Sequence, residues 1–311
     1  MGVAEVFLGN SFIIRILTIF SLLLFGVAAR KFNIIKEDAK LSLANIIIYI
    51  TLPPLVFVSI STEMNLEKLL QGMLLPLIFL ALALVGLAVA LGYAHGTPLP
   101  AVRRGTFLVL CIMPNTAFIG FPVVFALLGQ AGLAHAILFD FGSTIAFFSL
   151  AVMLLTSDHS AHYDFKTLLN PPIIAVILGI LALLLKIEIA RPILEPFKIM
   201  GSATTPLAML YTGYVLGGLK FKPGLLNWDL GMVCLLKLLI FPMAAIVLTK
   251  WLHFSPVVES VIIIESAMPC MASTPILIQK YGGDEEFAAV AVLVTTVLSA
   301  VTIPIILKIV A

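Results

Sequence analysis

Residues 113–122 read Met113-Pro114-Asn115-Thr116-Ala117-Phe118-Ile119-Gly120-Phe121-Pro122, and a later stretch repeats the frame as Met268-Pro269-Cys270-Met271-Ala272-Ser273-Thr274-Pro275. Each opens on Met-Pro, passes through small or polar residues and closes on a second proline, with a gap of two residues between the copies. Both lie inside long apolar runs. A proline in a helix interior removes an N–H donor and clashes with the carbonyl four residues earlier, so each stretch predicts a broken helix. In both copies a glycine follows seven residues after the second proline, Gly129 and Gly282, and a further apolar run begins.

The rest of the chain sets the environment of these breaks. Of 311 residues, 61% are hydrophobic and 11% charged, whereas soluble domains carry about a quarter charged residues. Chain in lipid must satisfy its backbone internally, and the long apolar runs lack the alternation of barrel strands, so the fold class is an all-α polytopic membrane protein. A hydrocarbon core about 30 Å thick needs roughly 20 apolar residues per helix. The windows that qualify lie near 11–29, 41–61, 69–92, 103–128, 133–156, 171–187, 199–219, 229–251, 256–281 and 285–310. The first is read as a span rather than a cleaved leader, because an acidic start (Glu5) and a basic end (Arg30, Lys31) reverse the leader charge pattern.

These ten transmembrane helices divide into two sets of five, 1–156 and 171–311, around a short loop at 157–170. An odd number of spans per half makes the repeat inverted, with the broken fourth and ninth helices crossing at mid-membrane. Short loops after odd-numbered spans hold ten lysines and arginines against six on the other face, or seven counting Arg15. That bias places the odd loops, including 157–170, in the cytoplasm and both termini outside the cell membrane.

Paired breaks point to a binding site. Half-helix N-termini present N–H groups and positive partial charge that suit an anion, while freed carbonyls suit a cation. The candidate substrate-binding residues are Pro114, Asn115, Thr116, Gly120, Pro122, Pro269, Cys270, Ser273 and Thr274, with Asn45 added from the second span. Pro53-Pro54 and Pro206 either bend their helices or open backbone toward the same site. Ionisable residues at membrane depth mark pathways or pairs. Glu265 and Asp140 are therefore read either as proton or cation carriers or as structural groups, with Lys237 as the natural salt-bridge partner of Glu265. Arg15 sits near a helix end and is read as snorkelling to the interface.

Other chemistries find no footing. A net charge of +2, scattered along the chain, argues against nucleic acid as a partner. Cys111, Cys234 and Cys270 are odd in number and lie within apolar runs, so they form neither a disulfide framework nor a metal set. His159 and His162 make an H-x-x-H pair without further ligands, and no phosphate-binding loop or nucleophile motif is present. The chain is thus expected to be no enzyme and to need no cofactor or metal.

These residues resemble the auxin efflux carrier family, which includes PIN-type plant auxin exporters and bacterial carriers of malate and malonate. The likeness is carried by NIIIYITLPP at 45–54, the P-N-T-x-F-x-G-x-P pattern at 114–122, T-P-L-A-M at 205–209 and the break at 269–275, spread over nearly the whole chain. It implies a scaffold of spans 1, 2, 6 and 7 and a moving transport domain of spans 3–5 and 8–10. It also implies elevator-type secondary transport of an organic anion held at the crossover, where Asn115 matches the family's asparagine and Cys270 departs from it. The short central loop is similar to the bacterial members. The expected substrate is a small mono- or dicarboxylate, with membrane lipid, sodium or a proton, and a second copy in a homodimer as further partners. The competing expectation is a sodium- or proton-coupled cation exchanger with Glu265 or Asp140 as carrier. A receptor that keeps the fold without transporting is the third.

Overall fold

The computed structural model describes residues 10–155 and 170–310. The H-x-x-H pair and nearly all of the 157–170 loop lie outside the described residues. Every long element is helical: α1 Asn10–Lys31, α2 Ala39–Glu63, α3 Leu66–Gly96, α4 Ala101–Ile112 and α5 Thr116–Leu155, followed by α6 Pro171–Leu184, α7 Arg191–Ser202, α8 Thr204–Gly218, α9 Trp228–Leu252, α10 Pro256–Ser266, α11 Thr274–Lys280 and α12 Glu285–Val310. Six of them, α1, α2, α3, α5, α9 and α12, are long and apolar enough to cross a membrane.

The windows read from the sequence reappear with altered edges. The fourth and ninth divide at their prolines into α4 and the start of α5, and into α10 and α11. Between the fourth and fifth windows the backbone leaves helical geometry at Gly129 (φ 67°, ψ −159°), so α5 consists of two helices that meet there. Gly282 also has positive φ (75°), and these are the glycines with positive φ among the described residues. Glycine alone enters positive φ without steric cost, so in each half a glycine turns the chain seven residues past the second proline. The seventh window begins later than expected, at Thr204, because residues 191–202 form a separate helix, α7. Helix starts recur too: the side chains of Asn65, Asn170 and Asn227 accept from the N–H groups of Lys68, Ile173 and Leu230 and cap α3, α6 and α9.

Helix α1 packs along α8, and α6 and α7 pack on the second half of α2, whereas α5 packs against α3 and α10. The α1–α8 crossing is set by small residues. A methyl group at Gly213 would lie 2.0 Å from the Leu23 carbonyl oxygen, and one at Gly26 would lie 2.1 Å from that of Leu210. In lipid, where apolar surface gains little by association, such close backbone approach is the main source of helix–helix stability. At one end of the bundle Arg103 donates to Asp284 (2.8 Å) and Asp229 (3.1 Å), and Tyr93 donates to Asp229 (3.1 Å). That cluster ties the ends of α3, α4, α9 and α12 together.

Gly213→Ala is expected to lower thermal stability of the detergent-solubilised protein by about 1–3 kcal/mol, the usual cost of overpacking. Gly92→Ala, where an added methyl meets nothing within 4 Å, should change it by less than about 0.5 kcal/mol. Equal melting curves for the two variants would contradict the close α1–α8 crossing.

Candidate functional site

Helix α4 stops at Ile112 because Pro114 cannot donate and holds Met113 in an extended conformation (φ −98°, ψ 101°). Helix α10 stops at Ser266, three residues before Pro269. The two extended stubs then run antiparallel, with Pro114 opposite Cys270. Asn115 N–H donates to the Pro269 carbonyl (2.8 Å) and Met271 N–H donates to that of Met113 (3.2 Å). Cys270 N–H donates to Thr295 Oγ1 (3.2 Å) on α12. Each break therefore satisfies the backbone of the other where Met113, Met268 and Cys270 are fully buried.

Several polar groups remain unclaimed. Asn115 stands at the N-cap position of α5 but makes no capping bond, and its buried Nδ2 has no hydrogen-bond partner. The first N–H groups of α5 have no acceptor within the helix. Thr116 Oγ1 donates to Asp140 Oδ1, which brings a carboxyl to this positive helix end. On the other side, half-buried Ser273 precedes α11, and the buried Thr274 Oγ1 has no partner.

Glu265 is fully buried and neither of its carboxyl oxygens has a hydrogen-bond partner. Its carboxyl packs on Gly120, where a methyl group would lie 2.2 Å from Oε2, so any larger side chain here must displace that carboxyl. Glu265 and Asp140 are near enough to interact electrostatically. The salt bridge between Glu265 and Lys237 is absent. Lys237 Nζ is buried without a hydrogen-bond partner, 4.5 Å from the centre of the Phe241 ring and near Cys111 and Cys270. The aromatic face supplies the cation with the negative potential that the carboxylate was expected to provide.

A cavity of about 270 Å³ adjoins the break, bounded by Ala117, Phe118 and Asp140 at one end and by Phe147, Asn170 and Ile173 toward the ends of α5 and α6. Among the described residues Asp140 is the one ionisable side chain in its wall, with no lysine, arginine or histidine beside it. The structure thus gathers Pro114, Asn115, Thr116, Gly120, Pro269, Cys270, Glu265 and Asp140 about the crossing, with Pro122 one turn along α5 and Ser273 and Thr274 at the head of α11. Asn45 is not brought there. It is exposed on α2, and the neighbours Ile47, Ile48 and Leu52 line the cavity instead, because a wide turn at Ile46–Thr51 decides which residues face inward. Pro53, Pro54 and Pro206 leave their helices unbroken. Thr204 and Ala208, flanking Pro206, also line the cavity. The sequence reading passed over them, although the T-P-L-A-M stretch marks their place.

A family model described as "Membrane transport protein" matches residues 11–164 and 162–307, nearly the full chain in two successive halves. The chain belongs to this family, the auxin efflux carriers. An uncharacterized transporter of Methanocaldococcus jannaschii is 29% identical over 297 residues, covering 93% of this chain and 95% of that protein. Another, from Methanothermobacter thermautotrophicus, is 26% identical over 293 residues with the same coverage. The protein is accordingly a multi-pass membrane transporter and not an enzyme.

Gly120→Ala is expected to push Glu265 off the break and cost about 1–3 kcal/mol of stability. Glu265→Ala added to that variant should recover part of the loss, a coupling of about 0.5 kcal/mol or more in a double-mutant cycle. Strict additivity in thermal unfolding would show that the carboxyl does not pack where the structure has it.

Proposed function

We propose that the chain is a secondary carrier of a small organic anion, bound where the two proline breaks meet. The observation that carries this reading is the mutual backbone pairing of the breaks next to a cavity that receives the N-terminus of α5. Ten spans, forming two inverted five-helix repeats, would place the crossing at mid-membrane. The positive φ of both Gly129 and Gly282, at equivalent places in the two halves, supports the repeat. In this reading spans 1, 2, 6 and 7 form a scaffold, and spans 3–5 and 8–10 form a transport domain that carries the anion across by elevator motion. The packing of α1 with α8, and of α2 with α6, supports that division. With both termini outside, the cavity faces the cytoplasm, since it runs toward the ends that flank 157–170. Membrane lipid and a second copy would cover the exposed apolar face of Leu24, Phe25, Leu178 and Leu181, giving a homodimer.

The cavity narrows the substrate. Its volume is slightly below the roughly 300–1,000 Å³ of drug-sized pockets, which favours a small molecule. A doubly charged anion such as malate would find no side-chain cation among the described residues of the wall, whereas a monocarboxylate with an apolar body would match the mostly apolar lining and the single helix end. Within the expected mono- or dicarboxylates, the monocarboxylates fit best.

A second reading, a sodium- or proton-coupled cation exchanger, draws on the unpartnered oxygens of Glu265. Uptake of labelled phenylacetate, indole-3-acetate, malate and malonate into proteoliposomes under sodium and proton gradients separates the two. Saturable uptake of a monocarboxylate, reduced at least tenfold by Asn115→Ala in a variant that keeps its melting curve, is the expected result. Silence for every anion, alongside gradient dissipation that Glu265→Gln removes, would establish the exchanger instead.

A further inference from the structure

Asp140 already occupies the place an anion would take. Its Oδ1 accepts from Thr116 Oγ1 at the first residue of α5, and the carboxyl forms part of the cavity wall beside Ala117 and Phe118. The buried Nδ2 of Asn115, the residue before Thr116, donates to nothing in the protein. A substrate carboxylate drawn to this helix end would meet a second negative charge at hydrogen-bond range, with no cation among the described residues of the cavity wall to offset the pair. Two like charges that close in a weakly hydrated site cannot both persist, and one takes up a proton.

We infer that the carrier binds its anion together with one proton, and that Asp140 holds that proton. The inference rests on the anion reading above. In the empty carrier the Asp140 carboxylate serves as the anion at the N-terminus of α5. When substrate enters, a proton from water in the cavity adds to an Asp140 oxygen, and the substrate carboxylate takes over the positive helix end and Asn115 Nδ2. The neutral acid can then act as a further hydrogen-bond donor. On the far side the substrate leaves, the proton returns to water, and no bond other than O–H is made or broken. Binding of a monoanion adds no net charge to the site.

The groups that face Asp140 fit this role. Glu265, across the break on α10, is close enough to feel the Asp140 charge. Helices α2, α6 and α8 contribute only uncharged side chains to the shared cavity. His135, on the same helix, directs Nδ1 to the Ala131 carbonyl (2.9 Å). Glu265 is not in the cavity wall, whereas Asp140 is, so Asp140 is the acid with access to the cavity.

Calorimetric titration of the purified carrier with phenylacetate, in buffers of different ionisation heat, counts the protons taken up on binding without interference from leakage across vesicles. For the native chain above the titration range of Asp140, one proton per bound anion is expected. The affinity should fall about tenfold per pH unit there, as the protonated fraction shrinks. Asp140→Asn should bind with no proton uptake and with pH-independent affinity, and its uptake into proteoliposomes should respond to membrane potential where native uptake does not. No proton uptake by the native chain, with binding still lost in Asn115→Ala, would overturn the proton role and leave the anion site standing. The count on the native chain decides this even if Asp140→Asn fails to fold. Binding of phenylalanine but not phenylacetate, lost in Asp140→Asn, would also overturn it, since Asp140 would then hold a cationic nitrogen. Failure of the native chain to bind any of the four test carboxylates would remove the anion reading and this inference together.

Discussion

Backbone that leaves the helix at membrane depth has to find hydrogen-bond partners within the protein, and everything distinctive here follows from how that requirement is met. Pro114 and Pro269 each remove a donor from an apolar helix, and one break alone would strand carbonyls and N–H groups in a medium that cannot solvate them. The stubs solve this reciprocally through the Asn115–Pro269 and Met271–Met113 bonds. Neither break is satisfied without the other, so the halves of the chain are locked together at this point. The pairing also uses up Asn115 N–H and Met271 N–H, leaving the later N–H groups of α5 and the Asn115 side chain as the unused donors.

The charged groups near the crossing do not pair in the simplest way. A buried carboxylate and a buried ammonium would ordinarily be expected to meet, yet Glu265 lies on Gly120 and Lys237 on the Phe241 ring. A closed ion pair would lower the cost of burial but would also fix both groups. Held apart, each keeps unused hydrogen-bonding capacity close to the break. Asp140 differs in having both a partner, Thr116, and a face on the cavity. This separates a carboxyl that can exchange protons with a bound ligand's surroundings from one enclosed by packing.

Much of this was legible in the sequence, for identifiable reasons. Proline and glycine act locally, so the echo of Met-Pro and the glycine seven residues past the second proline located the breaks and the corners before any packing was known. Hydropathy located the apolar windows, and the gap it left between the fourth and fifth falls at Gly129, where the backbone leaves helical geometry. It missed α7, whose alternation of Arg191, Glu195 and Lys198 with Ile193, Phe197 and Ile199 reads as a polar loop to a window average but forms an amphipathic helix. Side-chain direction was the harder problem. The wide turn at Ile46–Thr51 rotates α2 so that Asn45 is exposed and Ile47 is buried, and no residue in that stretch announces the extra residue per turn. The contact of Thr116 with Asp140, and that of Gly120 with Glu265, arise from packing between segments far apart in sequence, beyond the reach of periodicity.

The proposed motion of one helix group past another requires a boundary that can slide, and the polar ties across it are few and weak. Toward one end, Arg15 donates to the Ala126 carbonyl (3.0 Å) and Ser59 donates to Gln130 Oε1 (2.6 Å), both next to the kink at Gly129. The kink interrupts the helical ladder and so leaves backbone and side chain in that turn open to partners on α1 and α2. Toward the other end, Lys222 pairs with Glu286 at the start of α12, with both side chains largely exposed. A hydrogen bond of this kind contributes about 0.5–1.5 kcal/mol net and an exposed ion pair about 0–1 kcal/mol. Against this, the glycine-lined crossing of α1 on α8 and the partly buried cluster of Arg103 with Asp229 and Asp284 lie within the proposed groups. The close packing and the partly buried charge cluster thus stiffen each body, while the contacts between bodies are those that solvent or lipid can most cheaply replace.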